Sequence, residues 1–196
     1  MSDGKTEAEL LKEARQGKEP AFLTIYDSHR DSVFRFAYRM LGSVAAAEDI
    51  THDCFLSLLQ KPHLFNPDRA SLRTYLCAAA RNLVWKQLRR QGLETDVAEV
   101  DEARDSARQN SPYEDLRSSE IAEGVHQAIA SLPPLQREAV LLFEFEELSL
   151  SDAAAVAQTD IGTIKSRLHR ARQRLRGLLT CWIESGGISP FEETKP

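Results

Sequence analysis

Apolar residues recur at three- and four-residue spacings along almost the whole chain, and no sustained period-two run of Val, Ile or Thr interrupts them. That spacing places one apolar stripe per helix and leaves no half-buried strand to pair, so the expected fold class is all-α. With 196 residues the chain is long enough for one ordinary domain or two small ones. The apolar fraction of 42% is too high for a wholly disordered chain. No window approaches the roughly 20 uninterrupted apolar residues of a membrane span, and the start has no signal-peptide pattern. The expected protein is soluble and cytoplasmic, with no membrane insertion of its own.

The formal net charge of −5 argues at first against nucleic acid. Position reverses that reading. Residues 1–93 hold 14 basic and 11 acidic residues, and Arg69 to Arg90 carries six cations with no acid. Residues 94–120 hold nine acids against three arginines, with few large apolar side chains and the run Gln109, Asn110, Ser111, Pro112. This stretch reads as a solvated, flexible acidic linker. Residues 121–160 hold seven acids and one arginine, whereas 161–183 hold six cations and no acid. The expected organisation is therefore a helical domain over 1–93, the linker over 94–120, a second helical domain over 121–183 and a polar tail over 184–196.

In the second domain Pro133 and Pro134 signal a helix start, with Gln136 to Glu147 helical behind them. Ser149 with Asp152 opens a short Ala-rich helix over Ser151 to Ala157, and Asp160 is placed to cap the next one. Ile161, Ile164, Leu168, Ala171, Leu175 and Leu178 then form one continuous apolar stripe. Lys165, His169, Arg172 and Arg176 run along one side of that helix, with Arg167, Arg170 and Arg174 at other angles. No acid lies within this helix to neutralise the cations by intrahelical pairs. Two helices joined by a tight turn, the second basic and entered through Gly162, Thr163 and Ser166, match a helix-turn-helix that sets a recognition helix in the major groove.

In the first domain Leu72, Leu76, Ala79, Ala80 and Leu83 fall within about 100° of arc and are expected to face inward. Tyr75, Asn82, Trp85 and Arg89 lie opposite, and Arg81, Lys86 and Arg90 widen the basic surface. Exposed aromatics among cations suit unpaired bases, which stack while arginine neutralises the backbone. Large aromatics also pack under a neighbouring domain or linker, and periodicity leaves both readings open for Tyr75 and Trp85. Glu48, Asp49 and Asp53 lie on a helix whose Ile50, Cys54 and Leu58 face inward, so Asp49, His52 and Asp53 share an outer side with Leu56. Such a face is either simply solvated or docks a basic partner helix.

Cys54, Cys77 and Cys181 form no close pair, as expected of thiols in a reducing compartment. His52 and Cys54 lack partners at zinc-site spacing, so no metal and no cofactor are expected. No nucleophile elbow, phosphate-binding Gly loop or paired-carboxylate arrangement occurs, which argues against an enzyme.

Three stretches together resemble the extracytoplasmic function (ECF) sigma factors of bacterial RNA polymerase. They are Ala47 to Leu58; Phe65 to Arg90, ending in Ala80, Arg81, Asn82, Leu83 and Leu88, Arg89, Arg90; and Leu132 to Leu179. The third is the most specific, with Leu132, Pro133, Arg137, Leu148 and Ser149, then Gly162 through Leu168, then Arg170, Ala171, Arg172 and Leu175. The resemblance implies a sigma region 2 bundle followed by a sigma region 4 helix-turn-helix. It implies that Glu48, Asp49 and Asp53 dock on the β′ clamp helices of core polymerase, with the β flap as a second contact. The minus-10 element would meet Asn66, Arg69, Tyr75, Arg81, Asn82, Trp85, Lys86, Arg89 and Arg90. The minus-35 element would meet Thr163, Lys165, Ser166, Arg167, His169, Arg170 and Arg172. Promoter DNA, core polymerase and an anti-sigma factor are the implied partners, and the protein would be nucleoid-associated when bound to polymerase. The chain departs from the family's common pattern at His52 and Asp53, where Gln and Glu are usual, and at Tyr75, where Trp is usual. Lys86 stands where an Asp is frequent, and Ala153 to Val156 replaces a Glu-Ile-Ala pattern. The rival reading from the residues alone is a conventional helix-turn-helix regulator acting without polymerase.

Overall fold

A computed structural model describes residues 6–61, 65–92 and 120–184, and every regular element among them is helical. The chain separates into two compact units, Met1–Leu93 and Glu94–Pro196. The expected linker apart from Glu120, and the expected tail apart from Glu184, lie outside the described residues.

The first unit contains α1 (Glu7–Arg15), α2 (Glu19–Leu41), α3 (Val44–Gln60) and α4 (Leu72–Arg90). Their starts follow from local chemistry. Thr6 and Glu9 close a reciprocal capping box on α1, Pro20 occupies the first turn of α2, and Ser43 and Ser71 cap α3 and α4 through their hydroxyls. The left-handed Gly42 (φ 68°) ends α2 and lets the chain reverse into α3. α2 packs against the three other helices, and Ile25, Phe36 and Met40 of α2 are buried, as are Phe55 and Leu58 of α3 and Leu72 and Leu76 of α4.

The buried side of α4 differs from the expected arc. Leu72, Leu76 and Ala80 are buried as expected, but Ala79 and Leu83 are only half-buried, while Cys77, Val84 and Leu88 are buried instead. α4 touches both α2 and α3, so its covered face is broad and follows the i+4 row, which drifts about 40° per step. The Cys54 thiol is buried and pushed up to about 12, chiefly by desolvation. It is a packing group rather than a nucleophile at neutral pH.

The second unit contains α5 (Glu120–Ala130), α6 (Pro134–Val140) continuing into a π-helical turn (Leu141–Phe145), α7 (Leu150–Val156) and α8 (Ile161–Glu184). α6 therefore begins two residues before the expected helix, and its C-terminal part is wound more widely than an α-helix. α8 packs against α5, α6 and α7. Ile164, Leu168 and Ala171 of the stripe are buried, Leu175 and Leu178 are half-buried, and Ile161 is 43% exposed because it is the first residue of α8.

Two glycines make opposite demands. A Cβ on buried Gly124 of α5 would lie 2.7 Å from the Trp182 ring, whereas nothing lies within 4 Å of one on Gly177 in α8. Gly177→Ala is expected to stabilise by about 0.5–1 kcal/mol through helix propensity. Gly124→Ala gains the same propensity but overpacks at about 1–3 kcal/mol, so its net effect is destabilising. Paired thermal melts, one rising and one falling, check both signs.

Candidate nucleic-acid and polymerase interfaces

α3 presents Glu48, Asp49, His52 and Asp53 to solvent, with Leu56 41% exposed beside them. The opposite side, Ile50, Cys54 and Leu58, is buried. Four polar residues and one unburied leucine thus share an outward arc set by the packing of α3 on α2.

On α4 the surface cations and aromatics separate into different environments. Asn82, Lys86, Arg89 and Arg90 are exposed. Trp85 is half-buried, with the Arg81 guanidinium 5.7 Å from its ring centroid in a cation–π contact. Tyr75 packs edge-on against buried Phe65 at 5.3 Å, and burial followed by the Cys54 charge raises its phenol above its ordinary value. The Tyr75 ring is thus half-buried and packs within its own unit. In the preceding loop Asn66 accepts from the Asp68 N–H through Oδ1 (2.9 Å) and from the Arg69 N–H through its carbonyl (3.1 Å). Its amide group shapes the turn that exposes Arg69.

The helix-turn-helix is formed by α7, the turn 157–160 and α8. Ser149 Oγ accepts from the Asp152 N–H (3.0 Å) while its hydroxyl donates to the Asp152 carboxylate (2.6 Å). Ala153, Ala154, Val156 and Ala157 are buried. α7 packs against α8. Gln158 takes the left-handed conformation (φ 55°) needed to turn the chain. Asp160 then accepts from the Thr163 hydroxyl (2.6 Å) and the Thr163 N–H (2.9 Å), bonds that hold its carboxyl below the usual range. Thr163 accordingly serves the start of α8.

The remaining candidates on α8 divide sharply. Lys165, Ser166, His169 and Arg170 are exposed. Arg172 donates to Glu144 Oε1 at 2.5 Å and lies 5.7 Å over the Phe143 ring. The Arg167 side chain is 18% exposed and reaches within 3.7 Å of Glu138, whose carboxylate is fully buried on α6. α8 has no acid of its own until its last residue, Glu184, yet α6 and its π-helical extension supply two. Sequence periodicity missed Glu138 and Glu144; the available signal was an acid one turn before the buried Leu142, on the core side of α6. Arg137, also buried, donates through its guanidinium to the carbonyls of Ala130 and Leu132, and burial lowers it to about 10. No cluster that could hold a metal ion occurs among the described residues. No helix among them is long and apolar enough to cross a membrane.

A four-helix unit with an outward acidic face, in one chain with a unit built on a basic helix-turn-helix, defines a bipartite transcription factor. The family model for Sigma-70 region 2 matches residues 25–94, and that for Sigma-70, region 4 matches residues 122–175. The ECF RNA polymerase sigma factor SigW of Bacillus subtilis is 30% identical over 174 residues, 85% of this chain and 92% of that protein. The ECF RNA polymerase sigma factor SigC of Mycobacterium tuberculosis is 35% identical over 178 residues, 89% and 91% of the two. Among solved structures, sigma factor RpoE of Bartonella quintana in complex with the anti-sigma factor NepR superposes with a TM-score of 0.64 at 29% identity, covering 81% of this chain and 96% of that one. CnrH in complex with the cytosolic domain of CnrY, at 20% identity and a TM-score of 0.66, shows the same fold over 89% of this chain and 97% of that one. The chain belongs to the ECF sigma factors of RNA polymerase. A conventional regulator acting apart from polymerase is not favoured.

Proposed function

We propose a residue-level division of this sigma factor's work. The α3 face of Glu48, Asp49 and Asp53, with Leu56, docks on the β′ clamp helices of core polymerase, and the second unit meets the β flap. Loop residues Asn66 and Arg69, and α4 residues Arg81, Asn82, Trp85, Lys86, Arg89 and Arg90, serve the minus-10 element, with Tyr75 supporting the loop through Phe65. α8 enters the major groove at the minus-35 element. The chain supplies recognition and strand stabilisation, and core polymerase supplies the chemistry. An anti-sigma factor restrains it, a partner class suggested by the NepR complex of the relative RpoE.

The observation that carries this reading is that an exposed acidic face and an exposed cationic surface stand on separate helices of one unit, while a second unit presents its own basic helix. Acid and base so segregated suit a protein contact and a nucleic-acid contact made together. Phosphate contacts position the protein, and a few base contacts discriminate by about 1–3 kcal/mol each. Sequencing transcripts started in vitro by core polymerase plus this protein is expected to return start sites sharing two upstream elements. Start sites with no shared element at minus-35 would overturn the assignment of α8, and none at minus-10 that of α4.

A further inference from the structure

We propose that Glu138 is a positioning residue for minus-35 recognition, acting through Arg167, which it holds against α6 instead of leaving to DNA. The inference rests on the reading of α8 as the minus-35 helix and refines which of its cations read. Glu138 has no exposed surface, while Arg167 keeps only 18% of its side chain exposed and lies 3.7 Å from the Glu138 carboxylate. Lys165, Ser166, His169 and Arg170, on the same stretch of helix, are solvent-exposed. A guanidinium packed beside a buried carboxylate gives up that attraction when it swings out to a phosphate. The pair therefore fixes the rotation of α8 on α6 at the level of Ile164 and Leu168, both buried, and so fixes which side chains point outward. Arg172 is fastened in the same sense at the surface by Glu144, one and a half turns further along α6 and its π-helical extension. The reading surface reduces to Lys165, Ser166, His169 and Arg170.

The test compares holoenzymes assembled with full-length variants, on a promoter with its minus-35 element intact or scrambled, across a salt series. Glu138→Gln and Arg167→Gln are each expected to lower the preference for the intact element about threefold or more, since each removes one side of the pair. The double variant is expected to be no worse than the poorer single, because the two changes remove one interaction. Arg167→Lys, which keeps the charge but not the guanidinium fork, is expected to retain most of the preference. None of these should change the slope of log affinity against log salt, whereas Lys165→Ala and Arg170→Ala should each reduce it by about 0.9. An additive cycle, a reduced salt slope for Arg167→Gln, or a preference untouched by either single change would overturn the proposal. Melting curves identify any Gln variant that fails to fold, in which case loss of preference in a folded Arg167→Lys protein overturns it and retention upholds it. If Lys165→Ala and Arg170→Ala leave both slope and preference unchanged, the assignment of α8 to minus-35 fails, separately from the outcome of the cycle.

Discussion

Charge reversal at two positions of α3, Asp49→Lys with Asp53→Lys, is expected to abolish run-off transcription by core polymerase while leaving the protein folded. Both side chains are solvent-exposed, and the buried side of the helix is carried by other residues. Surface substitutions of this kind change stability by about 0.5 kcal/mol or less, so the melting curve should barely move. Docking is a different matter. Facing a basic partner surface, reversal turns attraction into like-charge repulsion, which costs several kcal/mol across an interface. At about 1.4 kcal/mol per factor of ten, two reversed charges lower core affinity by roughly a hundredfold to a thousandfold. Leu56→Ser should weaken docking more modestly, because it removes one apolar contact and introduces no repulsion. Fluorescence anisotropy with core polymerase, run beside the transcription assay, separates lost docking from lost promoter recognition. Unchanged core affinity in the double reversal would remove α3 from the polymerase interface.

Helix content was legible in the sequence because periodicity is a local property, and the stripe Ile164, Leu168, Ala171 is buried where the spacing put it. The extent of a buried face is not local. α4 is covered by two neighbours, so Val84 is fully buried while Leu83, inside the expected arc, is half-exposed. Ile161 belongs to the stripe by spacing, but at the first position of α8 it projects past the end of the cover. The alanines of α7 departed from the family pattern in composition, yet Ala153, Ala154 and Val156 are buried and α7 still packs against α8.

The candidate surfaces divide in the same way. The outward placement of Glu48, Asp49 and Asp53 followed from the inward positions of Ile50, Cys54 and Leu58. The fates of Arg167 and Arg172 did not follow from α8 alone, because their partners come from α6 and the turn beyond it. A helical wheel shows one helix's charges and hides neutralisation across a helix pair.

Removing the Arg137 guanidinium is expected to cost the second unit a large part of its stability. Its guanidinium donates to the carbonyls of Ala130 and Leu132, at the end of α5 and in the turn that follows, and thereby ties α5 to α6. Helix ends leave carbonyls without intrahelical donors, and a cation there is favoured by the helix dipole as well. Burial lowers Arg137 only to about 10, so the group remains charged at neutral pH. Arg137→Met keeps much of the side-chain volume but removes every donor, leaving buried or half-buried carbonyls without a partner. At about 1–3 kcal/mol for each group left unsatisfied, with the half-buried Ala130 carbonyl at the low end, the expected loss is roughly 2–4 kcal/mol. For a unit of this size that lowers the melting temperature by about 10–20 °C. α5 also packs on α8, where Gly124 meets the Trp182 ring, so loosening it frees one side of the reading helix. Promoters that depend on the minus-35 element should then lose more activity than promoters carried by minus-10 contacts. A calorimetric scan of the full-length protein is expected to show this transition shifted while unfolding of the first unit stays in place. An unshifted scan would mean that water satisfies these carbonyls as well as the guanidinium does.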